Sequence, residues 1–230
     1  MIGPIINAVL IICGSLLGKI IGNKINKNLE KEIMNIIALV ILFIGIKLGL
    51  MSNNPTLMII SGVVGITIGY KLDLDNKLNN FGDYFKNLIL KNSKDKKFGE
   101  AMIFATILFC VGSMGIIGAI QEGINNDPSI LISKSIIDSI ASIILTTSMG
   151  IGVAFSSIFV LIYEGLIVLI ASSVQHLFTQ ELLKEISGIG GILIFAISLN
   201  MLKLTNIKIS NTIPSIFIPV VYYLILNLIK

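Results

Sequence analysis

Of the 230 residues, 54% are hydrophobic and only 13% are charged, about half the charge of an ordinary soluble domain. A chain this poor in charge cannot clothe a water-facing surface, and its continuous apolar runs exclude a β-barrel, whose strands alternate polar and apolar over about ten residues. The net charge of +4 rests on 17 lysines and no arginine; most of these lysines flank apolar runs, so anionic lipid headgroups rather than nucleic acid are the expected partner.

Crossing the hydrocarbon as a helix takes about 20 apolar residues. The sequence predicts about eight such helices, making one all-α integral membrane domain over residues 1–230. In chain order they cover 3–21, 33–50 and 56–70, then 101–120, 129–147, 153–174, 186–202 and 215–229. A polar connector occupies 71–97; within it Leu78, Phe81, Phe85, Leu88 and Leu90 fall near one helical face, the pattern of an amphipathic helix on the inner membrane surface. Pro55 and Pro214 are expected to open the third and eighth spans, and Asp127-Pro128 the fifth. The boundary between spans five and six carries no charge, which leaves open whether it is a turn or a broken helix. The first span lacks a basic leader and a cleavage site, so it reads as a retained span. Lysine counts place the first, third and seventh connections inside and both termini outside.

Self-comparison adds a second layer. The run from Asn7 resembles that from Glu164 at an offset of 157, the run from Lys31 resembles that from Lys184 at 153, and the run from Pro55 resembles that from Pro214 at 159. Spans one to three thus resemble six to eight, and "SMGIIG" with "SMGIGV" relates span four to span five. Spans one and six differ by an odd number of crossings, so the expectation is an inverted-topology repeat, with halves 1–120 and 129–230 and a site at their interface.

Ionisable groups inside the bilayer are functional candidates by default. Asp138 and Glu164 are the deep acids, with Asn7 as the repeat counterpart of Glu164 and Gln121 near the outer end of span four. Lys134 stands four residues before Asp138, the spacing of a facing pair on one helix. For this pair a structural role stays open, as does a protonated Glu164 bonded to a neighbouring helix. Gly14, Gly18 and Gly22, then Gly45 and Gly49, then Gly65 and Gly69 make G-x-x-x-G steps that suit close helix packing. Ser113 to Gly115 and Ser148 to Gly150 join a hydroxyl, a thioether and glycine, and are expected to loosen their helices and face one cavity from opposite directions. Cys13 and Cys110 read as free thiols, and the lone His176 cannot complete a metal site; no cofactor or metal is expected. No P-loop, zinc-protease motif or nucleophile elbow is present, so no enzymatic activity is expected.

The opening "MIGPIINAVLIICGSLLG", the central "LFCVGSMGIIGAIQEGINND" and the following "KSIIDSIASIILTTSMGIGVAFSSIFVLIYEG" resemble the YdfK/YqgA-like family of bacterial integral membrane proteins, DUF554, over nearly the whole chain. The most specific part is C-x-G-x-M-x-x-x-G-x-I-Q-x-G followed by K-S-x-x-D, here Cys110, Gly112, Met114, Gly118, Ile120, Gln121 and Gly123, then Lys134, Ser135 and Asp138. The family usually shows Y-Q-G where this chain has Tyr163-Glu164-Gly165. The resemblance implies a multi-pass protein of the bacterial inner membrane and names no substrate. The residues themselves point to a channel or secondary transporter for a small solute, foremost a monovalent cation (Na⁺, K⁺ or H⁺). The path would use Asn7, Ser113, Gly115, Gln121, Asp138, Ser148, Gly150 and Glu164. The alternative is a non-transporting scaffold or sensor acting through 71–97. Glycine-rich packing leaves homo-oligomers open.

Overall fold

A computed structural model describes residues 1–22, 27–78, 80, 98–175 and 178–229. Among these residues the regular structure is helical, without strands: α1 (Ile2–Gly22), α2 (Lys27–Gly49), α3 (Pro55–Lys71), α4 (Phe98–Val111), α5 (Ser113–Asn125), α6 (Ser129–Met149), α7 (Gly152–Val174), α8 (Gln180–Met201), α9 (Ile209–Thr212), a 3₁₀ turn (Ile213–Phe217) and α10 (Ile218–Ile229). The amphipathic connector and His176 fall outside the described residues, apart from 71–78 and 80.

Among the described residues six helices are long and apolar enough to cross a membrane, at Ile2–Gly22, Lys31–Gly49, Ser129–Met149, Gly152–Ser173, Gln180–Met201 and Ile209–Leu226. A seventh crossing results if Phe98–Val111 and Met114–Asn125, bent by 62° at their junction, count as one broken span. The expected third span, Pro55–Lys71, has 17 residues, or about 25 Å of helix against a hydrocarbon thickness of about 30 Å. Two expected starts move. Pro214 does not open a helix but lies within the 3₁₀ turn of a span that begins at Ile209. The seventh span begins at Gln180, where the Thr179 hydroxyl caps the Leu182 N–H.

Burial runs opposite to that of a water-soluble bundle. On α6 the exposed side chains include Ile136, Ile137, Ile140 and Ile144, whereas Lys134, Ser135, Asp138 and Ser142 are buried. On α1 the exposed positions include Ile5, Val9, Ile12 and Leu16, with Asn7, Gly14 and Ser15 inside. Only an apolar solvent makes that arrangement favourable.

The chain forms two compact units that interleave along the sequence: residues 1–37 with 78–173, and residues 38–77 with 174–230. In the first unit α1 and α6 run parallel along a seam of small residues. Gly3 faces Leu131, Gly14 faces Ser139 and Ser142, Gly18 faces Ile143 and Thr146, and Gly22 faces Thr147. A side chain at Gly14 or Gly18 would run into the opposing backbone carbonyl, so the G-x-x-x-G spacing here serves close packing. The helices α4, α5 and α7 make a second parallel pairing, with Gly152 against Phe98 and Ala101, and Gly123 against Val168 and Ala171. Helix α4 is buried almost all round.

In the second unit α2 and α8 run antiparallel. Ala38 accepts a hydrogen bond from the Ser198 hydroxyl at 2.6 Å, while Gly45 and Gly49 abut Gly191. Helix α3 packs antiparallel on the segment that opens the last span, Gly65 on Ser215 and Gly69 on Asn211. Asn54 caps α3 by accepting the Leu57 N–H at 3.0 Å.

Candidate functional site

Four polar side chains from three helices of the first unit meet in its interior. Lys134 and Asp138 lie one turn apart on α6, and the Lys134 ammonium bonds Asp138 Oδ2 directly. The same ammonium reaches Glu164 Oε1 of α7 at 3.2 Å. From α1, the Asn7 amide Nδ2 donates to Asp138 Oδ2 at 3.1 Å and to Glu164 Oε1 and Oε2 at 3.0 and 3.1 Å. Asn7 and Glu164 are fully enclosed, and Lys134 and Asp138 are 5% and 6% exposed.

The local sequence explains the convergence. Helix α1 presents Gly3, Pro4, Asn7, Ala8, Ile11, Gly14 and Ser15 along its buried face, small enough for α6 to come close and for Asn7 to reach across. Gly115 performs the same service from α5: a Cβ there would lie 3.2 Å from Lys134 Cε and 3.5 Å from Glu164 Oε1. The lysine stem thus passes where any side chain on residue 115 would crowd it. Gly112, just before, ends α4 and starts α5 with no side-chain cap.

The meeting of Lys134 with Glu164 also defines the boundary between α6 and α7. Thirty residues of straight helix would separate these groups by about 45 Å. Their contact requires the chain to reverse at Gly150-Ile151, and Gly150 has φ 84°, ψ −177°, a conformation natural to glycine alone. The boundary is therefore a true turn.

The remaining sequence candidates lie elsewhere. Gln121 Nε2 donates to Asp127 Oδ2 at 2.5 Å at the end of α5. Asp127, just before the N-cap Pro128 of α6, also accepts the Ser129 N–H at 3.0 Å; these bonds, the backbone one first, hold its carboxyl below the ordinary aspartate range. Ser148 and Gly150 sit at the far end of α6, about 21 Å along the helix from Lys134. The two Ser-Met-Gly stretches therefore do not face one cavity: the first adjoins the charged cluster and the second forms the turn. Ser113 belongs to the first turn of α5.

Two buried carboxylates went unassigned in the sequence. Glu122 pairs with the Met1 ammonium at 2.6 Å and accepts the Gly3 N–H. Glu185, in the second unit, accepts from the Ser52 hydroxyl at 2.5 Å and the Asn53 N–H at 3.0 Å. Their partners lie over 100 residues away in the chain, beyond the reach of local pattern. Among the described residues no group of three or more His, Cys, Asp or Glu could hold a metal ion.

A multi-pass α-helical membrane protein with a buried charged cluster is thus defined. The chain belongs to the DUF554 family, described as a protein of unknown function, whose pattern matches residues 2–224. It is 30% identical to the uncharacterized membrane protein YdfK of Bacillus subtilis (strain 168), over 99% of this chain and 97% of that one. It is 29% identical to the uncharacterized protein YqgA of Escherichia coli (strain K12), over 95% and 94% of the two chains. No solved structure matches.

Proposed function

We propose that the protein moves a small monovalent cation (Na⁺, K⁺ or H⁺) across the bacterial inner membrane, as a channel or secondary transporter, by way of the Asn7–Lys134–Asp138–Glu164 cluster. One observation carries the reading: among the described residues two buried carboxylates share a single ammonium. With all three groups ionised the cluster is one positive charge short. An uncompensated charge inside low-dielectric surroundings is costly, so the cluster favours taking up one further positive charge. Asn7 is neutral and gives both its amide hydrogens' side to the carboxylates, which solvates them without cancelling charge.

The contact pattern supports placing the path at the interface of inverted repeats. Asn7 and Glu164, counterparts at the offset of 157, touch each other, as counterparts can only near a symmetry axis. At the offset of 153, Ala38 corresponds to Gly191 and Gly45 to Ser198. The contact of Ser198 with Ala38 then has its mate in the contact of Gly45 with Gly191. The parallel pairing of α1 with α6 likewise matches that of α7 with α4 and α5. Inverted repeats of this kind place substrate sites at their interface.

The test is a flux assay on protein reconstituted in liposomes, reading Na⁺, K⁺ and H⁺ separately. The wild type should pass at least one of them, and Asp138→Ala should cut that flux by at least about tenfold. Equal flux through both proteins would remove the cluster from the path.

A further inference from the structure

Resting on the cation reading above, we propose that Lys134 sets the valence of the cation the site accepts: with its ammonium in place the site takes one positive charge, and without it, two. Lys134 lies between the two carboxylates, bonded to Asp138 and 3.2 Å from Glu164, where it behaves as a tethered cation that half-fills an anionic site. Asn7 from α1 and Gly115 from α5 add no charge to its surroundings.

An independent feature lies on Asn7 itself. Asn7 Oδ1 is buried without a hydrogen-bond donor among the described residues, although its amide is fully enclosed and its Nδ2 bonds both acids. Buried acceptors of that kind are rare in native proteins. Two carboxylates are hard-oxygen donors, suited to alkali and alkaline-earth cations alike. Charge count then decides between them. A monovalent ion brings the native cluster to neutrality, whereas a divalent ion leaves it one charge in excess.

The rule gives distinct expectations for four proteins, read by melting temperature in detergent at matched ionic strength with NaCl, KCl, MgCl₂ or CaCl₂, and by uptake of Na⁺, K⁺, H⁺ or Ca²⁺ into liposomes. The wild type should respond to a monovalent cation and not to Mg²⁺ or Ca²⁺. Lys134→Gln should invert that preference by about tenfold or more. Lys134→Gln combined with Glu164→Gln restores the native charge deficit and should restore monovalent preference. Glu164→Gln alone leaves no deficit and should respond to neither valence; it keeps the Lys134–Asp138 pair, so it decides the matter if Lys134→Gln fails to fold. A wild type that moves none of Na⁺, K⁺ and H⁺ would overturn the cation reading and the rule with it. A wild type that moves one of them, with Lys134→Gln keeping the native preference or Glu164→Gln keeping the native response, would overturn the valence rule alone.

Discussion

The interiors of the two units solve the same problem differently. Each buries carboxylate in an apolar bundle. In the second unit Glu185 receives a hydroxyl and a backbone N–H from Ser52 and Asn53, and both donors come from the short connection between α2 and α3. That acid ties a loop to a helix. In the first unit Asp138 and Glu164 lie in mid-helix, tie no loop, and compete for one lysine. Burial alone therefore does not mark function. The distinguishing property is that two mid-helix acids from different helices share an ammonium, whereas Glu185 is held by hydrogen bonds from a neighbouring loop.

The contrast can be broken or sharpened by substitution. The largest effect is expected at the seam that brings Asn7 to α6. Gly18→Leu would drive a side chain into the Ile143 carbonyl and Thr146, and overpacking of this severity costs about 3 kcal/mol or more; loss of a monodisperse peak in size-exclusion chromatography checks it. Next come the two glutamates. Glu185→Gln should lower stability by about 1 kcal/mol through one weakened hydrogen bond while leaving cation flux intact. Glu164→Gln should do the reverse, holding or raising the melting temperature while losing flux, because it leaves a neutral Lys134–Asp138 pair. If both variants behaved alike in melting and flux, the contrast between the units would collapse. The smallest effect belongs to Asp127. Its carboxyl is held low by the Ser129 N–H, so its contribution to stability is present above the ordinary aspartate pKa and disappears as pH falls through the depressed one. The melting temperature of Asp127→Asn should therefore lie slightly below the wild type at neutral pH and converge with it in strong acid.

Much of the fold is legible in the sequence because lipid imposes a length. Runs near 20 apolar residues stand out, and the starts at Pro55 and at Asp127-Pro128 are set locally. The failures share a cause. Glu181, Lys184 and Glu185 read as loop, yet they lie in α8 because Ser52 and Asn53, more than 130 residues distant, satisfy Glu185. Pro214 reads as a helix start, yet a 3₁₀ turn admits it within the segment. For the site, the i,i+4 spacing gave Lys134 with Asp138, and the repeat offset gave Asn7 with Glu164. What no spacing reveals is that the two pairs are one cluster. The likeness of the two Ser-Met-Gly stretches misled because similar composition serves different local needs: Gly115 makes room for the Lys134 stem, whereas Gly150 takes a positive φ.

The tight reversal at Gly150 also bears on how the protein enters the bilayer. From Ser129 to Val174 the chain offers the insertion machinery two apolar helices joined by Gly150 and Ile151, with no charged residue in the link to hold them apart. Helix α6 entering alone would carry Lys134 and Asp138 into lipid, at roughly 2.5–3.5 kcal/mol for the aspartate near the centre of the span. Helix α7 would carry Glu164 without its partner. Entering as a hairpin, the two helices present acids and ammonium to each other before either meets hydrocarbon. The charges that complicate the finished interior thus give the nascent chain a reason to insert these two spans as one unit.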